Sequence, residues 1–440
     1  MMASIRKLFK SIDWTIPIAI VILMVIGVLF IYSSGVTSAG DLVSTEYAKQ
    51  IVWAATGLAL LVACAMIDLK RVSDYIPIVY GLSIALLAYT MAFGKVVNGA
   101  RSWLGIVGDY GIQPSEFVKI TTALFLAHYL ERSAHESSSI RRFALSFAIV
   151  AVPMGLILMQ PDFGTSLVFV PLYLAMAFIG GINKRYLLSF ILFGGIGVVL
   201  TVMPLWQTLI AAEQSIVLRI FYEKPYVYYI LLMLVVVAAL ALLGFRFFKK
   251  RYYYWLAYGS AIGTLGLAFS LAGQRFLKDY QVKRLIVFLD PSIDPLGSGW
   301  NILQSITAIG SGGVAGKGFL QGTQSHYRYL PQQSTDFIFS IISEELGFLG
   351  GIVVFGLFFY ILVRLALSMR KLRDVASSAF VAGVFSIIFF HFMINAGMAM
   401  GVMPITGIPL LFLSYGGSSL WSICIGVGLC LGIGARRYDS

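Results

Sequence analysis

Repeated apolar runs of about 20 residues constrain this sequence more than any other feature. The first runs from Trp14 to Tyr32, and others of similar length recur almost to the C-terminus. A helix of about 20 apolar residues spans the hydrocarbon core of a bilayer, whereas the strands of a membrane barrel are shorter and alternate in polarity. Only 12% of the residues are charged, about half the share found in soluble domains. The sequence therefore predicts an all-α polytopic membrane protein in which residues 1–440 form one integral-membrane domain.

About twelve of these runs are long enough to predict transmembrane helices. The predicted spans are 14–34, 49–67, 75–93, 115–131, 143–159, 165–181, 186–206, 226–247, 254–272, 337–363, 378–400 and 408–434. The tenth is so long that it must tilt or protrude. A polar stretch at 273–336 separates the ninth span from the tenth, and it forms one large loop.

Lysine and arginine residues gather in alternate segments between these spans. The N-terminus, the C-terminus and every second loop together hold about 20 of the 32 basic residues. Short basic loops favour the cytoplasmic side of a membrane. We therefore expect both termini in the cytoplasm and the loop 273–336 outside. The net charge of +12 is explained by this topology and does not indicate a nucleic-acid partner.

Charged residues within the spans need a physical reason, because an ionised side chain in lipid costs several kcal/mol. Glu116 and Lys119 are three residues apart on one helix face, so they can form an ion pair that fixes packing, line a polar cavity, or do both. Asp162, in the turn between the fifth and sixth spans, is either a helix cap or a functional carboxylate. Glu344 and Glu345 point about 100° apart on a helix, so we expect different environments for them, with one facing the interior.

Two further pairs have a structural and a functional interpretation. His391 and Asn395 are four residues apart on the eleventh span, where a hydrogen-bonded packing role is favoured over metal binding. Trp103 has the position of an interfacial membrane anchor, but it lies next to Arg101 in an outer loop.

The large outer loop contains two Asp-Pro pairs, at 290–291 and 294–295. Each aspartate is either a turn initiator or a general base at the outer membrane surface. The glycine-rich run 310–318 superficially resembles a phosphate-binding loop, but Lys317 is followed by Gly318 instead of serine or threonine. Because the loop also faces away from cytosolic ATP, a lipid-linked donor with its own leaving group is the more plausible substrate class.

Several blocks from about residue 95 to residue 420 carry a family resemblance. They include QPSEFVK (113–119), QPDFGT (160–165), DPSIDPLGSGW (290–300), TDFIF (335–339) and PITGIP (404–409). In this order they resemble the SEDS family (shape, elongation, division, sporulation), and the Gly-Thr-Gln-Ser run at 322–325 is more similar to its RodA-like elongation branch.

The resemblance implies a peptidoglycan glycosyltransferase that polymerises lipid II at the outer face of the bacterial cytoplasmic membrane. It implies a class B penicillin-binding protein as membrane partner, together with other membrane proteins of the elongation machinery. The family's essential loop aspartate corresponds to Asp294, with Asp290 ranked second. The leaving pyrophosphate needs a cation, for which Arg101, Lys119 and Lys317 are candidates. The alternative is a divalent cation, Mg²⁺ or Mn²⁺, held by carboxylates.

The resemblance also implies a substrate-binding set. These residues are Arg101, Trp103, Glu116, Lys119, Asp162, Lys317, Gln324, Asp336 and Glu344. The glycine-rich run is expected to form a flexible wall of the glycosyl-transfer site.

The sequence departs from the family in two places. The family has ten spans, so residues 207–272 are expected to be an inserted helical pair. Gln332 stands where relatives usually carry an acidic residue. Two other functions stay open at this point, a lipid II flippase and a non-catalytic activator of a penicillin-binding protein.

Overall fold

The computed structural model describes residues 10–97, 100–107, 110–136, 139–211, 216–276, 286–295 and 297–436. Almost all of the regular structure in this part is helical, with one small sheet. Contacts between elements divide the chain into two units. One comprises Met1–Asn183 with Asn301–Ser440, and the other comprises Lys184–Trp300.

The long helices are numbered in chain order. Those before residue 184 are α1 (Thr15–Ser34), α2 (Glu46–Met66), α3 (Ile76–Phe93), α4 (Pro114–Arg132), α5 (Ile140–Met159) and α6 (Phe163–Ile179). Those of the second unit are α7 (Lys184–Leu209), α8 (Tyr226–Phe248) and α9 (Arg251–Phe276). The remaining helices are α10 (Ser298–Ser311), α11 (Ile338–Met369), α12 (Val375–Ala399) and α13 (Gly417–Arg436).

Local sequence determines where several of these helices begin. Pro114 lies in the first turn of α4, where its missing N–H would have no partner within the helix. Asp374 caps α12 by accepting a hydrogen bond from the backbone N–H of Ser377 (2.9 Å). Such side chains satisfy donors that the first helical turn leaves unpaired.

Each predicted span overlaps a helix, and ten of the described helices are long and apolar enough to cross a membrane. α4 is not among them because it is more polar, and α6 is shorter than the others. The prediction of an all-α polytopic membrane protein is confirmed, whereas the count of twelve spans is not.

The last predicted span, 408–434, begins too early. Residues 404–416 form a non-helical segment, and α13 starts only at Gly417. Pro409 lacks a backbone N–H, and Gly407 has a φ of +70°, so a regular helix cannot run through this stretch. The segment is nevertheless buried, with residues 410–413 at most 2% exposed. Irregular backbone is tolerated at membrane depth where protein surrounds it.

α4 and α12 lie at the centre of the first unit. α4 packs against α3, α5, α12 and α13, and α12 packs against α6 and α11 as well. This central position explains the polarity of α4, because its polar side chains face other helices.

The contacts at one end of the first unit join segments that the charge pattern assigns to one side. Arg142 is buried and donates to the carbonyl oxygens of Leu130 (2.8 Å) and Gly180 (2.7 Å), near the C-terminal ends of α4 and α6. Arg364 on α11 donates from Nε to Asp13 Oδ2 (2.8 Å), just before α1. Which side of a membrane this end faces stays a prediction.

A three-stranded antiparallel sheet lies between α3 and α4, where the sequence predicted only a loop. Its strands are β1 (Lys95–Val97), β2 (Ala100–Val107) and β3 (Tyr110–Ile112), in that order. Trp103 pairs with Lys95 across the first two strands. The Asn-Gly dipeptide at 98–99 is a typical hairpin signal, and the strands on either side are too short to have a clear alternating pattern.

In the second unit, α8 and α9 pack together and α9 also packs along α7. Ser189 contacts Tyr258 (Oγ to OH, 2.7 Å), and Gln274 donates to the Leu200 carbonyl oxygen (3.3 Å), so α7 and α9 run parallel. The predicted inserted pair at 207–272 comprises the end of α7, α8 and most of α9, and its status as an insertion stays a prediction.

Candidate active site

α4 and α12 bring three titratable side chains together inside the first unit. Lys119 Nζ lies 2.8 Å from Glu116 Oε2 and 3.1 Å from His391 Nε2. His391 Nδ1 lies 2.9 Å from the carbonyl oxygen of Pro409. Because an ammonium can only donate, His391 accepts on Nε2 and donates from Nδ1, which defines one neutral tautomer. The expected Glu116–Lys119 pair is therefore present, and His391 is its hydrogen-bonded neighbour.

Buried oxygen atoms without a hydrogen-bond partner lie on α4, on α12 and on the buried segment 404–416. Within the described residues, they include Ser115 Oγ, Thr122 Oγ1, Asn395 Oδ1 and Thr406 Oγ1. Asn395 uses its Nδ2 fully, donating to the carbonyl oxygens of Asp336 (2.9 Å) and Ile408 (2.8 Å). Buried polar atoms are normally paired, so this set suits contact with a polar ligand.

Asp162 caps α6 and also joins it to α4. Its Oδ1 accepts from the backbone N–H of Thr165 (3.1 Å), and its Oδ2 accepts from Gln113 Nε2 (2.9 Å). Desolvation raises the pKa of Asp162, against the hydrogen bonds from Thr165 that lower it. The cap interpretation is confirmed, and the second oxygen adds a link between helices that the sequence did not indicate.

Glu344 anchors the outer loop to α11. One carboxylate oxygen, Oε1, accepts from Lys317 Nζ (2.8 Å), from Thr323 Oγ1 (3.1 Å) and from the backbone N–H of Gln324 (2.9 Å). The other oxygen accepts from the backbone N–H of Ser325 (3.3 Å). Side chain and backbone of the short helix Thr323–His326 therefore close around this carboxylate.

Glu345 makes a second, separate set of contacts. It accepts from Ser33 Oγ at the end of α1 and from the backbone N–H of Leu320 (3.0 Å). His326 Nε2 lies 3.5 Å from the same carboxylate, and its Nδ1 lies 2.8 Å from the Val36 carbonyl oxygen. Both glutamates are 0% exposed. Their environments differ as expected, and both side chains are buried, because the loop contacts Glu344 while the loop and the end of α1 contact Glu345.

Two glycines of the glycine-rich run, Gly312 and Gly316, pack closely against the backbone of α11, whereas Gly310 and Gly313 have open space beside them. The flexible wall of the site stays a prediction. A Cβ atom on Gly316, whose φ is +82°, would lie 2.1 Å from the carbonyl oxygen of Glu345. α11 itself is interrupted at Gly347 (φ +65°, ψ −160°), where the loop backbone approaches within contact distance. Glycine is needed at both places because side chains would prevent this close approach. We refer to Lys317, His326, Glu344 and Glu345 as the loop anchor.

The two loop aspartates differ in their local bonding. Asp290 Oδ1 accepts from the backbone N–H (2.9 Å) and hydroxyl (2.6 Å) of Ser292 and caps the short helix Pro291–Ile293. These hydrogen bonds hold the pKa of Asp290 below its usual value. Asp294 instead uses its backbone carbonyl to accept from the N–H groups of Gly297 (3.2 Å) and Gly299 (3.0 Å). Its carboxylate lies over Gly297, where a Cβ atom would come within 2.4 Å of it.

Arg101 and Trp103 lie on β2. Arg101 is exposed, and its Nη1 donates to the Ala92 carbonyl oxygen at the end of α3 (3.2 Å). The guanidinium has five N–H donors, and none of the described carboxylates forms an ion pair with it. The Trp103 ring packs over Gly111 of β3.

The remaining site predictions fall in the turn before α11. The Gln332 carbonyl oxygen accepts from the backbone N–H of Asp336 (3.0 Å), with Gln332 itself at a φ of +50°. The Gln324 side chain is half-buried, and its Oε1 has no partner within the described residues. Asp336 lies close to Gly407 of the buried segment.

The described residues form no all-protein cage for a Mg²⁺ or Mn²⁺ ion. Mg²⁺ at phosphate sites is commonly held by one or two carboxylates together with the substrate phosphates, a mode that needs no such cage. Asp290 and Glu344 are surrounded by N–H and O–H donors, and the described ranges contain no group of three His, Cys, Asp or Glu side chains that could hold a metal.

Three contributors to these networks could not be singled out from the sequence. The partners of Gln113, Ser33 and His326 lie far away in the chain, and no charge pattern or spacing connects these residues with them. Gln113 alone had a signal, because an amide beside Pro114 at a helix start is a candidate for side-chain bonding.

Comparison with known proteins extends the likeness to nearly the whole chain. The family model for cell cycle proteins of the FtsW/RodA/SpoVE type matches residues 13–217 and 206–439. A peptidoglycan glycosyltransferase named RodA from Treponema pallidum (strain Nichols) is 46% identical over 425 residues, which cover 97% of this chain and 98% of that protein. Peptidoglycan glycosyltransferase MrdB of Escherichia coli K12 is 30% identical, with 97% and 94% covered.

Solved structures of related proteins have the same fold. A chain in work described as "Structural coordination of polymerization and crosslinking by a peptidoglycan synthase complex" matches with a TM-score of 0.68 at 26% identity, covering 98% of this chain and 99% of that chain. The rod shape determining protein RodA of Thermus thermophilus matches with a TM-score of 0.60 at 23% identity, over 98% of each chain, and this second match supports the fold alone.

Proposed function

Because this chain belongs to the FtsW/RodA/SpoVE family of cell cycle proteins, we propose that it is a peptidoglycan glycosyltransferase that polymerises lipid II into glycan strands during cell elongation and shape maintenance. The observation that carries this proposal is the 46% identity to a peptidoglycan glycosyltransferase over 97% of the chain. The alignment covers 97% of this chain and 98% of the relative, so both the helices and the loops are matched.

Polymerisation takes place at the outer face of the bacterial cytoplasmic membrane. The alternating basic segments support cytoplasmic termini and an external loop at 273–336. Since ATP and nucleotide sugars are cytosolic, the donor must carry its own leaving group, and a lipid pyrophosphate provides one.

The reaction is a single inverting displacement. The 4-hydroxyl of a GlcNAc unit attacks the anomeric carbon of MurNAc, the bond to the lipid pyrophosphate breaks, and the hydroxyl proton passes to a base. An α-linked donor becomes a β-linked product, so one carboxylate base is sufficient and no covalent enzyme intermediate is needed.

Asp294 is that base. The family resemblance ranks Asp290 second, and both donors of Ser292 stabilise its charged form, as expected for a turn cap. Two backbone hydrogen bonds to the Asp294 carbonyl oxygen hold the turn in which Asp294 stands, and Gly297 leaves room beside its carboxylate.

Arg101 is the cation that stabilises charge on the leaving pyrophosphate. Lys119 is buried against Glu116, and Lys317 is paired with Glu344, so both are already neutralised by carboxylates. Arg101 is exposed and carries donors in a fork that suits phosphate oxygens. Lys119 and Lys317 act as positioning residues, the first within the helical core and the second within the loop anchor.

The remaining members of the set bind the head group. Trp103 provides an aromatic face beside Arg101, and Asp162, Gln324 and Asp336 provide acceptors near elements with unpaired buried oxygens. These roles follow from the residue types and their surroundings.

A class B penicillin-binding protein crosslinks the product and binds this chain in the membrane. A structural relative belongs to a peptidoglycan synthase complex that coordinates polymerization and crosslinking, which supports such a partner. Other membrane proteins of the elongation machinery join the same assembly.

Purified protein in liposomes with lipid II tests the proposal. We expect glycan polymer, resolved on a gel, that forms in the presence of penicillin. Head-group translocation without polymer would instead identify a flippase. Polymer that forms only after a penicillin-binding protein is added, and forms equally well with D294N, would identify an activator.

A further inference from the structure

The turn between α8 and α9 combines the highest local density of positive charge in the second unit with a cluster of aromatic rings. The cations are Arg246, Lys249, Lys250 and Arg251, and all four are exposed. They occupy six consecutive positions with Phe247 and Phe248 between them. α8 and α9 are both long and apolar enough to cross a membrane, so a turn this short lies at a membrane surface.

This positive charge has no compensating carboxylate. At some other helix ends, basic residues form ion pairs, such as Arg71 with Asp68 (3.2 Å) and Arg364 with Asp13. None of the four cations forms an ion pair with a described residue. The sequence contains no Asp or Glu from 184 to 209 or from 226 to 276.

The parallel packing of α7 and α9 enlarges the same charged surface. Ser189 and Tyr258 are in contact, so the first turn of α7 lies beside the first turns of α9. Lys184 and Arg185, both exposed, therefore belong to the same end of the second unit.

Aromatic packing stiffens the turn. The ring of Tyr253 stacks on Phe248 (centroids 5.8 Å apart) and lies against Tyr252 (4.1 Å). It also covers Gly244, where a Cβ atom would lie 2.6 Å from the ring, so the absence of a side chain on α8 is what allows this contact. Tyr252 and Phe248 are themselves 56% and 65% exposed, as expected for rings at the level of lipid head groups.

We propose that this surface, which we call the basic turn (Arg246–Arg251 with the flanking rings), binds the head groups of anionic phospholipids. Basic clusters directly beside a transmembrane helix attract anionic lipid, and the interfacial rings hold the turn at head-group depth. The occupant is a lipid because the unpaired cations lie between two membrane-spanning helices, where phosphate groups of the bilayer are the neighbouring anions. The proposal is independent of the glycosyl-transfer reaction.

Native mass spectrometry of the detergent-solubilised full chain tests this proposal with two probes, dioleoyl phosphatidylglycerol and dioleoyl phosphatidylcholine. We expect the wild type to prefer the anionic lipid. The triple variant K249Q/K250Q/R251Q should lose affinity for it by on the order of 100-fold, about fivefold for each charge removed. Binding of phosphatidylcholine should not change.

The matched control is R370Q/K371Q/R373Q, which removes three cations from the turn between α11 and α12, where Asp374 follows. This variant should keep the anionic-lipid preference within about threefold. A wild-type protein without that preference, or equal losses in the two variants, overturns the proposal.

A salt titration of the wild type keeps the test valid if the first triple variant does not fold. Raising NaCl from about 0.05 M to about 0.5 M shortens the Debye length and should weaken phosphatidylglycerol binding at least about tenfold. Binding that is insensitive to salt contradicts an electrostatic lipid site.

Discussion

The ammonium group of Lys119 lies 2.8 Å from the Glu116 carboxylate, at a depth where neither side chain is more than 3% exposed. Removing one partner leaves a buried charge without compensation, which costs about 3–5 kcal/mol, whereas removing both is nearly neutral. We therefore expect K119M to lower the thermal unfolding midpoint strongly and E116Q/K119M to recover most of the loss. Equal midpoints for the single and double variants would contradict a coupled pair.

Gly316 is predicted to tolerate no side chain. G316A forces an alanine into a positive φ and places its Cβ against the Glu345 carbonyl oxygen, so we expect a loss of more than about 2 kcal/mol in the free energy of unfolding. G310A is the matched control, because a methyl group at this position of α10 would have nothing within 4 Å. If both variants unfold at the same temperature, the close packing at Gly316 is wrong.

Glu344 is predicted to hold the outer loop closed. In E344Q an amide replaces the oxygen that accepts from Lys317 and from the backbone N–H of Gln324. The amide N–H groups of the glutamine would then point at these two donors, and the hydrogen bonds would be lost. Trypsin should then cleave after Arg328, which is exposed in this loop, at least about fivefold faster than in the wild type. E131Q, at an exposed position of α4, is expected to leave the cleavage rate unchanged.

The ion pair between Asp13 and Arg364 should make the thermal stability of the protein depend on pH. Partial burial alone would raise its pKa, but hydrogen bonds from Thr15 and Arg364 outweigh this and lower the pKa below the usual 3.8. Since the pKa is lower in the folded chain, the contribution of about 1 kcal/mol is complete well above pH 3.8 and is lost as the pH falls through the folded value. The wild-type midpoint should exceed that of D13N near neutral pH, and the difference should shrink as the pH falls below 3.8. A difference that stays constant with pH would exclude this ion pair as the cause.

Much of the architecture could be predicted from the sequence because lipid imposes one period and one length on every spanning helix. The Glu116–Lys119 pair was also accessible, since three-residue spacing places both on one face of α4. The segment 404–416 was not predicted, because its apolar residues match a span while its prolines and Gly407 prevent a helix.

The loop anchor lay beyond sequence reasoning for a different reason. Its contacts join His326 and Glu345 to Ser33, which is far from both in the chain and shares no pattern with them. Residue patterns alone did not separate Asp290 from Asp294, because both aspartates precede a proline. The family resemblance ranked Asp294 first, and the hydrogen bonds from Ser292 then showed that Asp290 caps a turn.

The role of Asp294 is tested most directly by comparing D294N with D290N in polymerisation of purified lipid II. A general base contributes about 10²–10⁴-fold, so D294N should reduce the rate at least about 100-fold while its unfolding midpoint stays close to that of the wild type. D290N should retain at least about a tenth of the wild-type rate, because it changes a turn cap. If D294N polymerises lipid II at the wild-type rate, Asp294 is not the general base.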